Sequence, residues 1–295
     1  MPLLHVHHAT TYRYASPVGF GPHRMMFRPR DSHDLRLVGT SLAISPAPTA
    51  LRWLHDVFGN SVAVATFDPD QRASELSIVS ELDLEHYHSA LPDYEIEDYA
   101  RTYPFSYSTS EVPDLARSIE RHYPDPEHLV DRWAKGFVRV DAPTDTQDLL
   151  AWMTRAIKLT FAYEAREEEG TRSPAETLRK GSGSCRDFAL LMMEAVRSLG
   201  LAARFVSGYL YSPPRDGGAN VGAGATHAWL QVYLPGAGWV EFDPTNGIVG
   251  NRDLIRVAVA RDPSQAVPLL GSWTGASGDY LGMSIDVRVT SPVTR

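Results

Sequence analysis

The pattern of apolar and polar positions changes once along this chain. The first stretch has the rhythm of strands. Residues 4–14 carry β-branched and aromatic side chains at short intervals, and Pro17, Gly19, Gly21 and Pro22 punctuate the residues just beyond. Residues 35–44 read as another strand, stopped by Pro46 and Pro48. Residues 51–58 and 61–67 flank Gly59-Asn60, a two-residue hairpin signal, and residues 77–84 alternate again. Short strands with regular turn signals predict a β-sandwich-like amino-terminal domain over residues 1–90.

Residues 88–113 have no clear period and hold Pro92, Pro104 and Pro113, so residues 91–144 read as a linker with one short helix at 114–122. A helical period then takes over. Leu149, Leu150, Met153, Ile157 and Phe161 recur at helical spacing, with Pro143 as breaker and Asp145 as cap. Phe188, Leu191, Met192, Ala195 and Leu199 make a second helical stripe that Gly200 ends. Strands are predicted at residues 203–210, 227–234, 239–243 and 284–289. Residues 145–295 thus read as an α+β core with a carboxy-terminal β extension. A helix packs there on a mostly antiparallel sheet.

Composition narrows the class. The 295 residues are 43% hydrophobic and 22% charged, enough apolar mass for a sizeable core. A net charge of −8 argues against nucleic acid as a bulk electrostatic partner. The longest apolar run, residues 188–193, falls far short of the roughly 20 residues a membrane span needs, so no membrane association is expected. The first residues lack the basic and apolar regions of a secretory signal, and a cytoplasmic location is the expectation. One cysteine, Cys185, leaves no intrachain disulfide to form.

That cysteine is the centre of the candidate chemistry. Gly181-Ser182-Gly183-Ser184 leads into Cys185 at the first position of the second helix, off its apolar stripe. Ser184 is the expected N-cap, with Asp187 in the capping-box position. A helix amino terminus offers free N–H groups and partial positive charge, which favour thiolate over thiol. A lone cysteine is more often a small buried hydrophobe; the glycine-rich entry and the helix start weigh against that here.

Of the eleven histidines only His227 comes after Cys185. It shares one strand face with Trp229, Gln231 and Tyr233. In the next strand Trp239, Glu241 and Asp243 alternate in the same way. If the two strands form a hairpin across Pro235–Gly238, His227 and Asp243 fall on one face, directly opposite or diagonal. A strand histidine or a strand-end aspartate is ordinary alone. Together with a helix-start cysteine they compose a nucleophile, a base and an orienting carboxylate. The Cys185 backbone N–H is a candidate oxyanion donor.

Residues 183–189, 207–210, 226–229 and 239–246 resemble the bacterial transglutaminase-like family, and the β-rich front resembles the amino-terminal domain that accompanies its core. The resemblance implies a papain-like fold with Cys185, His227 and Asp243 in chain order. It further implies attack on an amide carbonyl of a peptide or protein substrate to give a thioester acyl-enzyme. The superfamily includes crosslinking enzymes, proteases and peptide-N-glycanases, so a protease or amidase using the same triad is the first alternative. A binding or assembly protein on the same fold is the second. Trp229, Tyr163 and Tyr209 are the candidate substrate-binding residues. No metal and no other cofactor is expected: Glu167-Glu168-Glu169 reads as an exposed acidic turn, and His5/His7 and His86/His88 are histidine pairs without evident further ligands. Residues 211–224, rich in Gly and Pro, read as a flap over the site or as a surface loop.

Overall fold

The computed structural model describes residues 3–87, 94–165, 170–212, 221 and 224–291. The strand-rich front forms two antiparallel sheets. The strand Leu3–Phe20 pairs on one side with Ala73–His86, which pairs in turn with Leu35–Ser45. Alternation in this strand buries Leu4, Val6, His8 and Thr10 and turns His5 and His7 outward. The second sheet holds His23–Met25, Ser61–Thr66 and Ala50–His55. Val18, Phe20, Met25, Phe27, Ala63, Ala65, Leu76 and Ile78 fill the space between the sheets.

Four boundaries differ from the sequence expectation, each for a physical reason. Pro17 and Gly19 do not end the first strand; pairing skips from Arg13↔Glu75 to Val18↔Ala73, so the missing proline N–H falls where no ladder bond is required. The hairpin at Gly59-Asn60 is longer than two residues, since pairing closes at His55↔Ser61. Asp56 organises that loop by accepting the N–H groups of Phe58 and Asn60, both at 2.9 Å. The segment read as a linker instead packs against the core: Ile96, Ala100, Val130 and Ala134 join the main apolar cluster, and a second helix, Leu129–Lys135, comes after Val112–Ile119. The tail, expected to extend the core, completes the front. Tyr280–Thr290 pairs with Leu3–Phe20 along its free edge, and Leu269–Leu270 pairs with His23–Met25.

The core is α+β, as expected. Its sheet is antiparallel throughout, in the order Ile248–Val249, Gly238–Asp243, His227–Leu234, Ala203–Leu210, Leu254–Ala260. The cysteine helix, Cys185–Ser198, packs on it and on Thr146–Thr160. Asp145 caps Thr146–Thr160, accepting the Asp148 N–H at 2.9 Å. The cysteine helix is buried well beyond its apolar stripe. Even Glu194 and Arg197 are inside, paired at 2.8 Å, with Glu194 also accepting the N–H groups of His122 and Tyr123. A charge survives such burial only when partnered in this way.

Front and core share a polar and apolar seam. Leu4, Val6, Leu82 and Leu84 meet Tyr209, Ile255 and Val257. Asn60 bonds both backbone groups of Val259, donating at 2.7 Å and accepting at 2.9 Å. Asp34 meets Arg256 at 3.1 Å.

Candidate active site

The cysteine is placed by its helix start. Asp187 accepts the Ser184 N–H and the Ser184 hydroxyl, both at 2.9 Å, and the Arg172 N–H at 2.7 Å. One buried carboxylate therefore fixes the entry to the helix and pins the preceding loop onto it. Gly183 has to be glycine: a Cβ there would lie 2.9 Å from the Asp187 Cβ. Cys185 keeps 7% of its surface exposed and adjoins the main apolar cluster.

The histidine and aspartate are placed by the hairpin. The register pairs Leu230 with Phe242 and Leu234 with Gly238, so His227 lies diagonal to Asp243 on the shared face. His227 Nε2 and Asp243 Oδ2 are 2.9 Å apart, both fully buried. The second carboxylate oxygen, Oδ1, accepts the Thr245 N–H at 2.9 Å. His227 Nδ1 is buried with no hydrogen-bond partner among the described residues. Burial works against a charged imidazole, but the Asp243 carboxylate outweighs it, and the Cys185 sulfur adds in the same direction, so the His227 pKa is raised. Burial likewise works against a charged Asp243; His227, then Asn246 and Thr245, outweigh it and lower its pKa. The pair is therefore set to hold imidazolium against carboxylate beside the sulfur.

Tyr163 lies at this site. Residues Ala162–Tyr163 run parallel to Ser182–Gly183, two positions ahead of the cysteine. The tyrosine is 39% exposed. Burial first, then Cys185 and Asp243, push its hydroxyl up to about 12. Trp229 has no exposed surface; its ring stacks on the His227 ring with centroids 5.9 Å apart, backing the imidazole rather than lining an opening. Tyr209 does not join the site, which corrects the expectation that it binds substrate. It is 1% exposed in the seam with the front, where its hydroxyl meets His8 Nδ1 at 3.0 Å. Alternation gave Tyr209 a face of the sheet, but not the domain that covers that face.

The histidine pair of the first strand is spent on carboxylates, His5 on Asp83 at 2.9 Å and His7 on Glu81 at 2.6 Å. His88, the acidic residues 167–169, and residues 213–220 and 222–223 of the expected flap lie outside the described residues. A cavity of 680 Å³ opens elsewhere, on the seam near Arg30, Asp34, Arg204, Trp239 and Arg256; none of the three candidate catalytic residues lines it.

Sequence reasoning missed Asn246. Its side chain donates to Asp243 Oδ2 at 2.8 Å and meets both backbone groups of Val221. Its place three residues after the acid, beyond Pro244, was the available signal.

A thiol at the start of a buried helix, set against an antiparallel sheet that carries histidine and acid, defines a papain-like cysteine-based catalytic fold. Residues 133–244 match the transglutaminase-like superfamily, and residues 4–85 match the bacterial transglutaminase-like N-terminal region, so each half of the chain has a match of its own. It is similar to an uncharacterized protein of Mycobacterium bovis, at 28% identity over 96% of this chain and 91% of that one. An uncharacterized Mycobacterium leprae protein is 37% identical over 39% of this chain and 40% of its own length. Among solved structures, a protein of Cytophaga hutchinsonii described provisionally as a cysteine protease superposes with a TM-score of 0.66 at 20% identity. That match covers 100% of this chain and 92% of the other.

Proposed function

We propose that this protein is a cysteine-dependent acyl-transfer enzyme acting on peptide or protein amides. One observation carries the reading: His227, bonded to Asp243 at 2.9 Å, has no hydrogen-bond partner among the described residues for its other ring nitrogen, and the only thiol in the chain lies close enough to raise its pKa. In this reading His227 takes the Cys185 proton and the sulfur attacks the amide carbonyl carbon. The tetrahedral intermediate collapses as His227 returns the proton to the leaving nitrogen, giving a thioester and a free amine or ammonia. A second nucleophile then cleaves the thioester, and its proton passes to His227. Asp243 holds the ring and its charge throughout. The Cys185 N–H at the helix start supplies one donor to the oxyanion. Tyr163, beside the sulfur and partly exposed, is the substrate contact.

The reaction class is decided by the second nucleophile. An amine makes the protein a transglutaminase; water makes it a protease or amidase. Incubation with glutamine-containing peptides and a primary amine, read by mass spectrometry, separates the two. Amine incorporation supports the first and chain cleavage or deamidation the second. The expected result in both cases is an acyl adduct on Cys185 and loss of turnover in Cys185→Ala. Full turnover in that variant would sink the proposal.

A further inference from the structure

The strongest unassigned feature beside the triad is the Asn246 amide, half-buried and fully committed. Residues 243–247 close a tight turn, with the Gly247 N–H on the Asp243 carbonyl at 2.8 Å and Gly247 at φ +71°. This turn folds the Asn246 side chain back onto the acid. Its Nδ2 lies 2.8 Å from Asp243 Oδ2 and 3.2 Å from the Val221 carbonyl; its Oδ1 accepts the Val221 N–H at 2.8 Å. The Val221 N–H needs an oxygen, so the nitrogen end of the amide must face the carboxylate. Both amide hydrogens are then used, one on each oxygen. Nδ2 also comes within 3.5 Å of His227 Nε2. Asp243 Oδ2 thus receives two hydrogens, one from the imidazole and one from Asn246.

We propose that Asn246 is a positioning residue: it holds the Asp243 carboxylate in the orientation that meets His227, and its own amide is fixed by the two backbone groups of Val221. The proposal rests on the triad reading above. The neutral amide suits this task. A cationic donor in its place would satisfy the same oxygen but would offset the negative charge that His227 relies on. Without the Asn246 side chain, one side of Oδ2 is open and the carboxylate is held by the Thr245 N–H and His227. A carboxylate held less firmly supports the imidazolium less, and burial then weighs further toward the neutral imidazole.

The test needs no substrate. Iodoacetamide alkylation of Cys185 is followed by mass spectrometry from pH 5 to pH 10. The proteins compared are the wild type, Asn246→Ala, Asp243→Asn and the double variant. Asn246→Ala is expected to slow alkylation about tenfold at pH 6.5 and to change the rate at pH 10 by less than about twofold, because the contribution of the His227–Asp243 pair to the sulfur's reactivity fades at high pH. In the Asp243→Asn background the same change is expected to cost less than about twofold, since the two residues act through one carboxylate. Equal costs in both backgrounds, or a lowered melting temperature with an unchanged pH profile, would assign Asn246 a structural role and overturn the proposal. Should Asn246→Ala fail to fold, Asn246→Ser replaces it in the cycle. A wild-type profile like that of a free thiol, with no effect of Asp243→Asn, would instead overturn the triad reading beneath it.

Discussion

At the residue scale, the candidate triad depends on a charge balance in a dry place. His227 and Asp243 are each disfavoured as ions by burial and each favoured by the other. Asp243→Asn keeps the shape and removes the charge, so burial then dominates and the His227 pKa falls. The expected outcome is a loss of roughly 10²–10⁴ in turnover with the fold retained, by analogy with other carboxylate-oriented bases. Circular dichroism alongside a rate measurement checks both halves. The three residues were legible because each obeys a local rule: a capped helix start for Cys185, and strand parity for His227 and Asp243. Asn246 obeys no such rule. It reaches the carboxylate through a turn, and turns bring side chains together without a period to announce them.

At the element scale, the site is built where close-packed backbones leave no spare volume. Gly208 pairs with His227 across the sheet. A Cβ on it would sit 2.1 Å from the Ile255 carbonyl oxygen and 2.7 Å from the Trp229 ring that backs the imidazole. Neither the strand nor the buried indole has room to yield. Gly208→Ala is expected to cost about 1–3 kcal/mol in urea unfolding and to lower Cys185 reactivity as Trp229 shifts. Unchanged reactivity would mean that the tryptophan does not set the ring position. Asn60 is a second case. The sequence marks it as a turn residue; the fold uses it as a plug on the edge of the core sheet. Asn60→Ala leaves the Val259 N–H and carbonyl without their partner, and a loss of about 2 kcal/mol or more is expected from the same measurement. Helices and strands were legible from their periods, and the five-residue loop before Ser61 was not, because Asp56 supplies bonds that a two-residue turn would have made from backbone.

At the scale of the whole molecule, a buried histidine joins front to core and makes their union sensitive to acid. His8 lies in the seam, bonded to Tyr209 and to Thr10. Burial, with a smaller contribution from His7, lowers its pKa to about 4, against 6.5 for an ordinary histidine. Between these values the unfolded chain binds a proton that the folded chain refuses. The stability is therefore fully present above about pH 6.5 and declines as the pH falls toward 4, at about 1.4 kcal/mol per pH unit. Unfolding in urea at about pH 7.5 and about pH 5 is expected to differ by about 2 kcal/mol more in the wild type than in His8→Gln. Parallel losses would place the acid sensitivity elsewhere. The two-part plan was legible from the change in rhythm and from the motifs. The tail's place was not, since Tyr280–Thr290 reads as a strand by its alternation and nothing local says which edge it will join.

That edge has a bearing on how the polypeptide is made. Leu3–Phe20 leaves the ribosome before either of its flanking strands, Ala73–His86 on one side and Tyr280–Thr290 on the other. While the intervening two hundred or so residues are being synthesised, one row of its amide and carbonyl groups stays open to any passing strand. The nascent front is thus obliged to wait with a bare flank, and the chain that follows the α+β core delivers the segment that seals it.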